Sequence, residues 1–246
     1  MILRIWFVLI LMIWIILLQG CSSASAPIVS LDQPPSELIK THRVEQGETM
    51  YSIAWRYDYS VANLAKANGL SDSSVLQEGQ ILNLDLSKVK KQQSSKRSIG
   101  TADSKKAAKT SANTDSKTQA NVWLKKVKAR DLKWREPVKG KIVESFNPKK
   151  LRKGIVFQSA EGSSVRPVAK GVVVYAGDGL RDYGKLVIIK HSDYLLSAYG
   201  HNRKLLVREG QLVDSGQIIS KLGSSGRLYF EIRKDGKPVN PLLYLN

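Results

Sequence analysis

From Ser87 to Ala120 the chain is built of Ser, Thr, Lys, Gln and Ala, with almost no large apolar side chain. Such a stretch cannot bury enough surface to offset the entropy of ordering it, so residues 87–121 are predicted to be a solvated, flexible basic linker. Nine cations against two anions leave Ser87–Ala120 at +7, and self-repulsion extends it. The chain is thereby divided: what folds must do so as one small unit before this linker and a second after it. Apolar residues at 42% are enough for two ordinary cores, which excludes global disorder. The formal charge of +18 favours a polyanionic partner, and nucleic acid, anionic lipid and acidic cell-wall polymer all fit it.

At the N-terminus one cation, Arg4, precedes a continuous apolar run from Ile5 to Leu18, then Leu18-Gln19-Gly20-Cys21. The run has the length of a secretory signal core and falls short of the roughly 20 residues of a relaxed membrane span. A small residue directly before the only cysteine resembles a bacterial lipobox. That resemblance implies a lipoprotein signal peptide over residues 1–20, lipidation of Cys21 and a spacer over 21–40. An uncleaved anchor helix is the alternative, and both tether an exported chain to a membrane. Ser22 follows the cysteine, where the family rule for inner-membrane retention requires Asp, so the implied location is the outer membrane, facing the periplasm. Export argues against nucleic acid as the polyanion.

Residues 41–86 read as strand, helix, helix, strand. His42-Arg43-Val44 is a short strand with His42 expected on its surface. Thr49 caps a helix on which Ile53 and Tyr57 share a face, Ser60 caps a second helix ended by Asn68-Gly69, and Gly79-Gln80-Ile81-Leu82 leads the closing strand. Val44-Glu45-Gln46-Gly47-Glu48-Thr49, Leu64-Ala65-Lys66-Ala67-Asn68 and Gly79-Gln80-Ile81-Leu82 resemble the LysM module. The resemblance implies a βααβ fold that binds N-acetylglucosamine-containing glycans, here peptidoglycan. It places the sugars between Gly47, Glu48, Thr49 and Met50 on one side and Gly69, Leu70, Ser71 and Asp72 on the other. Met50 or Tyr51 would pack on a sugar face, although Tyr51, Trp55 and Tyr57 read equally as core.

Over residues 122–246 short apolar runs alternate with Gly turns, as in Val172–Gly177, Leu186–His191 and Leu195–His201, which predicts a mostly antiparallel β domain. Pro137-Val138-Lys139-Gly140-Lys141-Ile142, Gly226–Arg233 and the ending Val239–Tyr244 resemble the LytM-type domain of M23 (lysostaphin-type) zinc peptidases. That family takes two zinc ligands from His-x-Gly-x-Asp and a third, with a catalytic base, from His-x-His. Here the first motif reads Arg152-Lys153-Gly154-Ile155-Val156 and the second Arg227-Leu228-Tyr229. Arg152 cannot release a proton to bind a metal, Val156 has no donor atom, and Arg227 cannot act as a base at neutral pH. The remaining catalytic His of the family corresponds to His201. The expectation is a degenerate domain with no metal, no cofactor and no hydrolysis.

Lipobox, LysM module, basic linker and degenerate LytM domain together resemble the NlpD/EnvC-type activators of murein hydrolysis. The resemblance implies that the vacated groove docks a periplasmic N-acetylmuramoyl-L-alanine amidase, with Arg152, Val156, Tyr199, His201, Arg227 and Tyr229 as its lining. A wall-binding tether without an activator role and, third, an active endopeptidase are the alternatives.

Overall fold

The computed structural model of the chain describes residues 39–72, 74–87, 89, 120, 122–124, 127 and 131–245. The lipobox with Cys21, and nearly all of the basic linker, lie outside the described residues.

In the N-terminal module β1 (Thr41–Arg43) pairs antiparallel with β2 (Ile81–Asn83), and α1 (Met50–Arg56) and α2 (Val61–Ala67) lie between them in the chain. Thr49 starts α1 with a capping box: its Oγ1 accepts from Ser52 N at 3.1 Å, and Thr49 N donates to Ser52 Oγ at 2.9 Å. Ser60 stands at the N-cap of α2 but its side chain makes no cap bond, a departure from expectation. His42 departs as well. It is 7% exposed and bonds Tyr57 Oη at 3.0 Å and Glu48 Oε2 at 2.7 Å. A two-stranded ribbon covered by helices on one face buries every second residue, and the alternation selects His42 over Thr41 and Arg43.

The C-terminal domain is one antiparallel sheet. Its main path runs β3 (Lys141–Glu144), β4 (Ile155–Gln158), β11 (Arg227–Lys234), β8 (Leu195–Leu205), β7 (Lys185–Lys190), β6 (Gly171–Gly177) and β9 (Leu212–Val213). Off that path β10 (Ser220–Leu222) pairs with β8 and with β5 (Ser164–Val165), and β12 (Lys237–Val239) pairs with β11. Alternation along β11 sends Leu228, Phe230 and Ile232 into a core with Ile155, Phe157, Val187, Ile189 and Tyr199. The opposite face carries Tyr229, Glu231 and Arg233 on β11 and, in register with them, Gly200, Ala198 and Leu196 on β8.

This second face is also buried. Leu186, Ile188, Leu196, Ala198 and Tyr175 of the sheet share one apolar cluster with Ile53, Trp55 and Leu64 of the N-terminal module. The continuous run Leu186-Val187-Ile188-Ile189 is the consequence: an antiparallel strand with one wet face alternates, whereas a strand covered on both faces does not need to.

Beneath the sheet His191 is fully buried, with Nδ1 2.8 Å from Lys170 O and Nε2 2.6 Å from Ser197 Oγ. Burial pushes its pKa down to about 4, against the raising effect of the Lys170 carbonyl. Between about pH 6.5 and 4 the unfolded chain then binds a proton that the folded chain refuses, so stability falls as pH falls through that window. The expected loss at that site is about 3 kcal/mol, read as a drop in urea midpoint between pH 7 and 4.5. His191→Gln flattens the drop, and an equally steep drop in that variant would contradict the assignment.

Candidate functional site

β4 and β11 bring the two motifs together. Val156 pairs in register with Tyr229, and Arg227 lies two residues away along the same face of β11. Gly154 is required for that approach, because a Cβ there would stand 2.4 Å from Phe230 O and 2.9 Å from Tyr229 Cζ. His201 turns its ring toward Tyr229, with centroids 5.9 Å apart. It does so with φ of +62°, a left-handed conformation that a non-glycine residue rarely adopts. The register of β8 against β7 gains one residue on β8 between the pairs Tyr199–Val187 and Asn202–Lys185. That bulge breaks the two-residue alternation. Tyr199 is consequently not a groove residue, contrary to expectation: it is 0% exposed on the opposite face, where its oxygen accepts from Val168 N at 2.9 Å.

The residues present do not fit a zinc ion. Val156 offers no donor, Arg152 is a cation, and Tyr229 is committed elsewhere, its hydroxyl donating to Glu231 Oε2 at 2.6 Å. Burial, reinforced by the Glu231 carboxylate, pushes the Tyr229 phenol far above its ordinary pKa. Such a phenol does not supply the deprotonated oxygen that metal ligation needs. Among the described residues there is no group of three or more His, Cys, Asp or Glu placed to hold a metal ion. Lys153 and Arg227 are both held by acids, Lys153 Nζ at 2.6 Å from Asp58 Oδ2 and Arg227 Nη2 on Glu144 Oε1. The Nε of Arg152 is buried with no hydrogen-bond partner.

Past Tyr229 the groove runs into the N-terminal module. Glu231, 0% exposed, accepts from Arg233 Nε at 2.6 Å. Arg233 donates from Nη1 to Trp55 O at 2.7 Å, and its guanidinium carbon lies 3.8 Å over the Trp55 ring. Its Nη2 is 3.0 Å from Asp58 Oδ1, an ion pair off the hydrogen-bonding line. Asp58 thus joins Arg233 and Lys153 across the two modules. These contacts, missed at the sequence level, were signalled by the two-faced apolar run of β7. Asp58→Asn keeps a side chain that tolerates the φ of +54° but removes the charge. It should weaken docking by about 1–2 kcal/mol, allowing for partial solvent exposure. Faster hydrogen exchange in peptides covering Trp55–Tyr59 and Tyr183–Ile188 is the readout, and unchanged exchange would contradict it.

A cleft of about 910 Å³ opens on the other side of the module. Gly47, Glu48, Thr49, Met50 and Asp72 line it, whereas Gly69, Leu70 and Ser71 do not. Met50 is 1% exposed and presents no stacking face, contrary to expectation, while Tyr51, 9% exposed, takes the core place that was its other reading. Both belong to the apolar cluster that the small module shares with the sheet, because α1 must turn its apolar face toward the ribbon and the sheet. Glu48 is likewise turned inward, toward His42, Arg56 and the amide of Glu45.

The fold defines a class: a small βααβ module joined to a mostly antiparallel β domain of the zinc-peptidase type. Family models agree on both parts, LysM domain over residues 42–85 and peptidase family M23 over residues 150–241. The chain is 52% identical over 117 residues to a Lipoprotein NlpD/LppB homolog of Pseudomonas aeruginosa, covering 46% of this chain and 39% of that one. It is 51% identical over 117 residues to the Murein hydrolase activator NlpD of Escherichia coli, covering 46% and 31%. Against the Uncharacterized lipoprotein YgeR of E. coli it is 34% identical over 235 residues, covering 94% of this chain and 88% of that one. The chain belongs to the NlpD-like lipoprotein family, and it spans well under half the length of the first two relatives.

Proposed function

We propose that this chain is a non-catalytic, wall-binding lipoprotein that activates periplasmic N-acetylmuramoyl-L-alanine amidases, facing the periplasm from the outer membrane and acting in septal murein splitting. The observation that carries the reading is Tyr229. At a zinc-ligand position it is locked to Glu231, so the M23 groove is kept as a shape while its metal chemistry is replaced. The name of the E. coli relative, Murein hydrolase activator NlpD, supports activation as the use of that shape.

Activation requires only that the groove prefer an open amidase over a closed one. Taking that equilibrium from 1:99 to 99:1 needs about 5.5 kcal/mol of differential binding. The groove offers half-buried Arg152, exposed His201, and Arg227, whose side chain is 41% exposed. The LysM module would hold the activator to peptidoglycan through the inter-module cleft, and lipidation at Cys21 would hold it to the membrane. The direct test is saturable binding of a periplasmic amidase to the purified chain, with peptidoglycan hydrolysis rising along the same isotherm. Binding to no amidase would leave the wall-tether reading in its place.

A further inference from the structure

We infer that the glycan site of this chain is a two-module site, in which the M23-type domain supplies one wall of the cleft and the LysM module the other. This rests on the wall-binding reading above and goes beyond it, because the second wall belongs to a domain otherwise read as an amidase dock.

Three observations carry it. The cleft is not a surface groove of the LysM module alone. Opposite Thr49 and Asp72 it is walled by Val174 of β6, Lys190 of β7 and the turn through Arg208 and Gln211. That wall is braced by the backbone, with Gly210 N donating to Val173 O at 2.8 Å and Val173 N donating to Gln211 O at 2.9 Å. Second, the M23-type domain positions the LysM side. Lys190, 9% exposed at its side chain, places Nζ 2.8 Å from Asp72 Oδ2, and Tyr51 Oη donates to the same oxygen at 3.0 Å. Thr49 Oγ1 reaches Val174 O at 3.4 Å, so both arms of the sugar-facing loops are pinned to the sheet.

Third, the lining suits an N-acetylhexosamine chain. Such a ligand is neutral along its backbone, with hydroxyls, an acetamide and apolar ring faces. It needs amide and charged hydrogen-bonding groups beside small apolar surfaces. Arg208 and Gln211 give the first, and Val174 with Val75, which is 84% exposed at the rim, gives the second. A volume of about 910 Å³ lies at the upper end of the ~300–1,000 Å³ typical of ligand clefts. A nucleic acid is disfavoured at this site, because the cations Lys190 and Arg208 of the lining stand among the acids Glu48, Asp72, Asp193 and Glu209 and leave no basic surplus.

Occupancy then acquires a second consequence. A saccharide touching both walls binds the docked arrangement better than the undocked one, so it stabilises docking by the same factor that docking strengthens saccharide binding.

The test is calorimetric titration of the full chain with the tetramer of N-acetylglucosamine. The probes are the double variant Arg208→Ala/Gln211→Ala on the M23-type wall and Val75→Asp on the LysM wall, each checked for an unchanged thermal unfolding midpoint. Both are expected to weaken binding by about tenfold, the size of one to two lost hydrogen bonds or an equivalent desolvation. Unchanged affinity of the double variant alongside loss in Val75→Asp would overturn the two-wall site while leaving glycan binding by LysM intact. Failure of the wild-type chain to bind the tetramer would overturn the wall-binding reading itself, and with it this inference. A second readout keeps the inference open to refutation if a variant unfolds. Saturating tetramer should slow hydrogen exchange in the wild-type peptide covering Val172–Tyr175, and no slowing would count against the second wall.

Discussion

Arg233→Ala should destabilise the chain by about 3–5 kcal/mol, the largest effect expected of any single substitution in it. Arg233 is 1% exposed; its guanidinium donates to Glu231 and to the Trp55 carbonyl and is ion-paired with Asp58, so it ties the two modules together. Removing it strands Glu231, 0% exposed, with only the Tyr229 hydroxyl for company. The penalty belongs to the orphaned carboxylate more than to the lost attraction. The double variant Arg233→Met/Glu231→Gln should therefore recover part of the loss, since it removes both charges and keeps the volume. Urea unfolding of the two variants reads this directly. A loss below about 1 kcal/mol for Arg233→Ala would mean that the guanidinium is hydrated and the modules are not docked as described.

The second large effect concerns the groove. Arg227→Ala combined with His201→Ala should reduce amidase stimulation by tenfold or more while leaving the unfolding midpoint close to that of the unmodified chain. Both side chains reach solvent, and neither lies in the two apolar cores. Losing two contacts of a docked partner, one of them charge-assisted, accounts for a change of that size. Tyr229 is less suitable for this purpose, because its hydroxyl also serves buried Glu231 and its loss would disturb folding and docking together. Full stimulation by the double variant would remove the groove from the activation mechanism.

The two motif segments that meet on β4 and β11 were legible in the sequence, for a local reason. Metal ligands sit at fixed steps along single strands, so Arg152, Val156 and Tyr229 can be read as replacements without knowing how the strands pair. The βααβ order of the LysM module was equally local, carried by the Thr49 cap and the Asn68-Gly69 stop. What failed was what depends on parity or on distance. Tyr199 and His201 are two apart and should share a face, yet the bulge at His201 turns one toward the groove and leaves the other in the core. Met50 read as a sugar-stacking residue because its position beside the first turn is visible, while the sheet that helps to bury α1 comes from over a hundred residues later. Module docking was the main omission. The low-complexity linker hides it, since its composition records only that the modules are joined, not that they meet. The unbroken apolar run of β7 and the buried pair Glu231–Arg233 were its traces in the sequence.

The most direct test of the central claim is release of dye-labelled peptidoglycan by the purified chain, first alone with added zinc and then with each periplasmic amidase. No release alone with strong release in the presence of one amidase is the result expected of a groove whose ligand positions are Arg152, Val156 and Tyr229. Release by the chain alone, abolished by a chelator, would contradict it and require a metal site built from other residues.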